Sequence, residues 1–260
     1  MTESWRFIDS GDCDAFFNMA LDEAIVISVK EKKSPPTLRI YGWKNPSVSL
    51  GAFQKISDVN VRYCMLNKIA IVRRPTGGRG ILHDNELTYS FSCVNEGPFA
   101  KSLLDTYKIL SDIFINAFKK VGLNAESKRT RLHGRDLIRD PLCFNSTSYG
   151  EIVFDEKKII GSAQKRWDKG FLQQGSIPFL INYKMLKMVF AVNTEKFNFI
   201  GLKEVLPDLS KDEFKRKIKE SFEEGFSISF IESPLFSFER KLAQSLLYEK
   251  YQNVRWTEIR

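Results

Sequence analysis

The order of strand-like and helical segments predicts an α+β fold with a mixed, mainly antiparallel sheet flanked by helices. Two observations carry this. Apolar runs of strand length cluster between 37 and 94 and again between 148 and 180, while helical periodicity separates and follows them. The elements also arrive in irregular order rather than as repeating strand–helix–strand units, which disfavours a doubly wound parallel sheet. No repeat, low-complexity run or linker divides the 260 residues, and 43% hydrophobic content is enough for a full core, so one domain spanning 1–260 is expected.

The first element is a helix from Asp14 to about Lys30. Phe17, Leu21, Ala24, Ile25 and Val29 recur at three-four spacing, with Asp12 and Asp14 as candidate caps. "SPP" at 34–36 ends it. "TLRIYGW" and "PSVSLG" follow as two short strands, which Gly42, Asn45 and Pro46 punctuate into an expected hairpin. A short helix around "SDVNVRYCMLNK" leads to apolar runs at 70–72, 80–82 and 87–94. The broad stripe from Leu103 to Val121 predicts a long, heavily buried helix over 101–121. "SYGEIVF", "KIIGSAQKRW" and "FLQQGSIPFL" then read as three strands joined by the turns "DEKK" and "DKG", and the last third is mainly helical.

Composition excludes several function classes. No apolar run approaches the roughly 18 to 20 residues that cross a bilayer, and "MTESWRFIDSGDCD" has no basic region followed by an apolar stretch, so a cytoplasmic protein without a membrane partner is expected. Cys13, Cys64, Cys93 and Cys143 are widely spaced with no CxxC, and His83 and His133 are the only histidines, so no metal site is expected. The net charge of +8 points to an acidic or phosphate-bearing partner. In "KDEFKRKIKE" acidic residues interleave with basic ones at helical spacing, the pattern of a solvated helix face rather than a nucleic-acid patch. Aromatic residues are not interleaved with the basic ones as stacking platforms, which makes a nucleic-acid or nucleotide binder a remote alternative.

Two stretches stand out chemically. "RRPTGGRGILHD" at 73–84 sets arginines around a Pro-Thr-Gly-Gly corner, where Gly77 and Gly78 lack the Cβ that keeps backbone away from a ligand. Arg73, Arg74 and Arg79 add fixed positive charge there. The same residues read equally well as a tight hairpin corner with arginines in water, and they match neither GxGxxG nor GxxxxGK[ST]. His83-Asp84 taken alone is a turn with a hydrogen-bonded imidazole. In the second stretch, Cys143 follows the turn-forming Asp140-Pro141 pair and precedes "NSTS", whose polar side chains can hydrogen-bond an oxyanion. A free cysteine is more often an inert core residue, the reading given to Cys13, Cys64 and Cys93. A nucleophilic one needs a neighbour that lowers its pKa from about 8.5, and with histidine scarce the available cations are Lys157 and Lys158. Alternation alone does not say which of the two faces inward.

"RRPTGGRGILHDNELTYSF" with "KKIIGSAQKR" and "GFLQQGSI" resembles the biotin/lipoate protein ligase superfamily, from "NMALDEA" to the hairpins near 180. Within it, "PLCFNSTSYGEIV", followed fifteen residues after the cysteine by the lysine of "KIIGSAQ", is similar to the cysteine-dependent octanoyltransferases. The resemblance implies a biotin/lipoate protein ligase catalytic-domain-like fold and no cofactor. It also implies transfer of octanoyl from octanoyl-acyl carrier protein, through an acyl-cysteine, to a lysine of a lipoyl-accepting protein such as the glycine cleavage H protein. Cys143 matches the nucleophile and Lys158 the lysine that lowers its pKa. Arg74, Gly77, Gly78 and His83 match the surroundings of an acyl tunnel, with Thr76 and Gly161 near the acyl carbonyl. The alternative is an ATP-dependent lipoate-protein ligase, from which the chain departs at Arg79, where the ligase motif carries a third glycine, and in having no room for the accessory C-terminal domain of some ligases.

Overall fold

The computed structural model describes residues 3–128, 151–192 and 197–259. In chain order the elements begin β1 (Glu3–Cys13), α1 (Ala15–Lys30), β2 (Thr37–Trp43), β3 (Ser47–Leu50), α2 (Val61–Leu66), β4 (Ala70–Arg73), β5 (Ile81–His83), β6 (Glu86–Val94) and α3 (Leu103–Lys120). They continue with β7 (Glu126–Ser127), β8 (Ile152–Phe154), β9 (Lys157–Lys158), β10 (Gly161–Trp167), β11 (Gly170–Pro178), α4 (Tyr183–Phe190) and α5 (Leu202–Val205). The last are α6 (Lys211–Phe226), β12 (Ile228–Glu232), α7 (Ser237–Leu246) and α8 (Val254–Thr257).

Among the described residues the strands form a six-stranded sheet, ordered β10-β11-β6-β2-β1-β12, and two three-stranded sheets, β4-β3-β5 and β7-β8-β9. In the large sheet the pairing is antiparallel from β10 to β2 and parallel from β2 to β12. This is the α+β arrangement the sequence predicts.

Alternation along the strands divides the large sheet into two unlike faces. Leu38, Ile40, Tyr89, Phe91, Phe171 and Ile177 belong to the main core, together with Phe114 and Phe118 of α3 and Phe214 and Phe222 of α6. The residues between them, Arg39, Tyr41, Thr88, Ser90, Gln174 and Ser176, are also buried, and α1 lies against their strands. That second face is polar.

Asp14 starts α1 by accepting the backbone N–H groups of Phe16 and Phe17, as an N-cap does. The helix is buried on most of its circumference rather than on one stripe, because the sheet covers one side and α7 another. Asn18 and Asp22, one turn apart, point at the polar face. Asp22 accepts from Arg39 and Ser90 at Oδ1, each at 2.7 Å, and from Tyr41 at 2.8 Å and Gln174 at 2.7 Å at Oδ2. Arg39 also donates to Ser10 and to the side chain of Asn18. One fully buried ion pair therefore ties α1 to β1, β2, β6 and β11.

Three expectations are corrected. Residues 37–50 do not form a hairpin: β2 joins the large sheet, while β3 pairs with β4 and β5 in a small one. Asn45 and Pro46 mark a change of direction, but a turn signal does not say whether the strands on either side pair. The run "KIIGSAQKRW" is broken at Ile159-Ile160, which are buried between β9 and β10. Strands β1 and β12 at the parallel edge went unpredicted because polar residues interrupt them. Arg6 of β1 is buried against Glu239 of α7, bonded at 2.7 and 2.5 Å, so a charged residue occupies an inward position.

The charged helix α6 does behave as expected. It buries Phe214, Ile218 and Phe222, while Lys215 pairs with Asp9, Lys217 with Glu220 and Lys219 with Glu232 on the outer side. No helix among the described residues is long and apolar enough to cross a membrane.

The Asp22–Arg39 pair makes a direct prediction. Asp22→Ala leaves a buried guanidinium without its counter-charge and should cost about 3 to 5 kcal/mol of stability. Urea denaturation should register this as a lower midpoint with little change in slope; an unchanged midpoint would show that the pair is not a structural anchor.

Candidate active site

The polar face of the large sheet and the small sheet β4-β3-β5 close on a narrow cleft. Met19 of α1, Tyr41 and Trp43 of β2, Ser49 of β3, Ile81 and His83 of β5, and Gly161, Gln174 and Ser176 of β10 and β11 are among the residues that line it. Sulfur, aromatic rings and aliphatic carbon supply most of this surface, the lining that suits an apolar chain.

One wall is a ring stack. The indole of Trp43 and the imidazole of His83 lie with centroids 3.8 Å apart and planes 12° from parallel. Nδ1 of His83 is 2.8 Å from Oε1 of Glu86, and Nε2 is 2.7 Å from the Ser49 hydroxyl. Trp43 donates its indole N–H to Thr88 at 2.7 Å, and Thr88 in turn donates to Glu86. Ser176 donates to the other carboxylate oxygen at 2.7 Å. Burial works against the charge of Glu86, but His83, Thr88 and Ser176 outweigh it and hold the carboxyl below its ordinary value.

The glycine corner sits beside this wall. Gly78 has φ +86°, which glycine adopts without strain. A side chain at Gly51 would run into the carbonyl of Gly78, so the turn after β3 and the Pro-Thr-Gly-Gly corner pack backbone to backbone. Thr76 is buried and donates to Gln174 at 2.8 Å, which links the corner to Asp22 through the other end of the same amide.

The two arginines before the corner are braces. Arg74 donates to the Ser49 carbonyl and hydroxyl from one nitrogen and to the carbonyls of Gly77 and Arg79 from another, at 2.7 to 3.1 Å. Arg73 is fully buried and donates to the carbonyls of Gly51, Gln54, Trp256 and Thr257. Its charge, which the sequence left facing either a ligand or water, faces neither and stitches the C-terminal helix α8 to the turn after β3. The planar guanidinium suits this task because its donors fan out to carbonyls from separate segments.

Lys158 lies in the third sheet. Asp155 and Glu156 take positive φ values of 48° and 60° and turn β8 back on β9, pairing Val153 with Lys158 and Phe154 with Lys157. Lys157 is therefore exposed and Lys158 fully buried. Glu151, two residues before Val153, shares its face and reaches Lys158 diagonally, with Nζ 2.7 Å from Oε1. The backbone of Lys158 is held by Asn198 and Ile200.

Of the residues implied as substrate contacts, Arg74, His83 and Gly161 line the cleft. Thr76 stands behind it, joined to the lining residue Gln174, and Gly78 packs against Arg74 and Ala163. Cys143, with Asp140-Pro141 and "NSTS", lies outside the described residues. The other cysteines are poorly placed for chemistry: burial pushes the Cys64 thiol up to about 11 and that of Cys93 up to about 12, and raises that of Cys13. Sequence reasoning missed Ser49, Trp43, Glu86, Gln174 and Ser176. The usable signal was "ELTYSFS", where Glu86, Thr88, Ser90 and Ser92 alternate with apolar residues in a strand buried on both faces.

Residues 14–223 match the family described as the lipoyl protein ligase A/B catalytic domain. The chain belongs to this family. An octanoyltransferase of Halalkalibacterium halodurans is 36% identical over 98% of both chains, and one of Bacillus subtilis is 35% identical over 98% of both. Relatives at this level make the chain an acyltransferase. The fold is shared with a lipoate-protein ligase A crystallised with ATP (TM-score 0.83, 24% identity, 99% of each chain). It is shared also with the bipartite lipoate protein ligase of Thermoplasma acidophilum (TM-score 0.81, 23% identity, 98% of this chain and 96% of that one).

The lowered carboxyl of Glu86 sets an acid limb for the stability of this acyltransferase. A group whose pKa is depressed on folding stabilises fully above its ordinary value, 4.5 here, and loses that contribution as pH falls through the folded value. The stability gap between wild type and Glu86→Gln should therefore narrow as denaturation is repeated at pH values falling below 4.5. A gap independent of pH would show that the carboxylate is not held ionised by its partners.

Proposed function

We propose that this chain moves an octanoyl group from an acyl carrier protein to a lysine of a lipoyl-accepting protein, such as the glycine cleavage H protein, through a thioester on Cys143. The observation that carries the reading is the 36% identity to an octanoyltransferase over nearly the whole of both chains. The apolar cleft supports it, since each buried methylene of an acyl chain contributes about 0.8 kcal/mol. So does Lys158, a buried cation at the position of the family's lysine whose side chain is fixed by Glu151 at 2.7 Å.

In the first step the Cys143 thiolate attacks the carbonyl carbon of the octanoyl thioester. The carbon–sulfur bond to the carrier breaks, and the carrier thiol takes up the proton that Cys143 lost. Lys158 stabilises the thiolate, and Glu151 holds the lysine side chain in a fixed direction. In the second step the acceptor amine, having lost a proton, attacks the acyl-Cys143 carbonyl. A carbon–nitrogen bond forms, the bond to sulfur breaks, and the thiol is restored. Thioester to amide is downhill, so the chemistry requires no ATP. The net charge of +8 suits acidic carrier and acceptor proteins.

Incubation with octanoyl-carrier protein in the absence of nucleotide should give an intact-mass increase of one octanoyl group, located on Cys143 and removed by hydroxylamine. Strict dependence on ATP and free octanoate would assign the chain to the ligases instead.

The raised thiols of Cys64 and Cys93 make alkylation a clean probe of the cation. Rapid iodoacetamide labelling at neutral pH should map to Cys143, and Lys158→Ala should slow it by raising the apparent thiol pKa. Lys157→Ala should leave the rate as it is. An identical labelling rate in Lys158→Ala removes the lysine from the mechanism.

A further inference from the structure

Glu86 is not a lining residue of the cleft, yet both rings of its wall end on this carboxylate. His83 meets Oε1 directly, at 2.8 Å. Trp43 meets the same oxygen through one intermediate, its indole N–H on Thr88 and the Thr88 hydroxyl on Glu86. Trp43, His83, Thr88 and Glu86 are each buried, so water does not offer these polar edges an alternative partner. An unanchored indole keeps its stacking but not its direction, because stacking between rings is broad in angle whereas an N–H donor prefers a nearly straight bond. Two rings tied to one carboxylate oxygen, His83 directly and Trp43 through Thr88, are held in register with each other, and the clear width beside them is held with them.

We infer that Glu86 is the positioning residue that sets the acyl chain length this enzyme accepts, by locking the Trp43–His83 stack as a rigid wall of the acyl cleft. The inference rests on the acyl-transfer reading above. The role requires that an octanoyl chain lie along the locked wall and that a longer chain displace the indole, which breaks its bond to Thr88. Selectivity among homologous chains then comes from the rigidity of the wall rather than from any polar contact with the acyl group. A site of this kind discriminates by about tenfold or more for each methylene it refuses.

The test measures kcat/KM for octanoyl- and decanoyl-carrier protein with wild type, Glu86→Ala, Glu86→Gln and Thr88→Val. Glu86→Ala removes the acceptor of both His83 and Thr88, which leaves the Thr88 hydroxyl under the indole unanchored and His83 held only at Ser49, and should raise the decanoyl-to-octanoyl ratio by about tenfold, through a lower decanoyl KM and a higher octanoyl KM rather than through kcat. Glu86→Gln should restore the wild-type ratio, because its carbonyl can accept from His83 and Thr88 while its amide donates to Ser176. Thr88→Val removes the indole's acceptor together with the hydroxyl that links it to Glu86, at nearly constant volume, and should move the ratio in the same direction as Glu86→Ala. If Glu86→Ala does not fold, Thr88→Val decides by itself. Variants that transfer octanoyl but keep the wild-type ratio would overturn the role of Glu86 and leave the acyl-transfer reading standing. A wild type that moves no octanoyl group from the carrier would overturn that reading instead.

Discussion

The polar face of the large sheet depends on the buried pair of Asp22 and Arg39. A charge on a fully buried helix is expensive unless its partners satisfy it, and Asp22 is satisfied by groups from β2, β6 and β11. Those strands must hold their register for the four bonds to coincide, since a slip of one residue would turn Arg39, Ser90 and Gln174 to the opposite side. The pair thus acts as a registry pin. It also fixes Gln174, whose other end receives Thr76, so the glycine corner inherits its position from the same carboxylate.

The site is organised as one apolar slot inside polar scaffolding. Arg73 and Arg74 direct their donors at backbone carbonyls and the Ser49 hydroxyl, Glu86 accepts from a histidine and two hydroxyls, and Asp22 accepts from an arginine, a tyrosine, a serine and a glutamine. Each of these groups is occupied, so what remains facing the cleft is mainly ring and aliphatic carbon. This explains how a face rich in charged and hydroxyl residues can suit an acyl chain. Lys158 stands apart from that scaffolding on a separate hairpin with its own carboxylate, Glu151.

Much of this was legible in the chain. The N-cap of α1, the buried stripe of α3 and the strands β6 and β11 follow from spacing, because local periodicity is enough when one element buries one face. The RRPTGG corner and Lys158 were visible as a motif, yet their roles were not. Arg73 looks the same in sequence whether it meets a ligand or the carbonyls of Trp256 and Thr257, which lie more than 180 residues away. Lys157 and Lys158 are distinguishable only after the turn at Asp155-Glu156 has set the register.

What the sequence determined by itself is therefore the set of elements, their α+β order and the resemblance carried by contiguous motifs. The tertiary structure decided which strands pair, which sheet β3 joins, and that His83 and Thr88 meet at one oxygen of Glu86 while Trp43 bonds the Thr88 hydroxyl. The physical reason is range. Helical and strand periods are written in neighbouring residues, whereas the buried hydrogen-bond cluster brings Trp43 onto Thr88, 45 positions away, and its members appear in sequence only as polar positions in segments otherwise apolar.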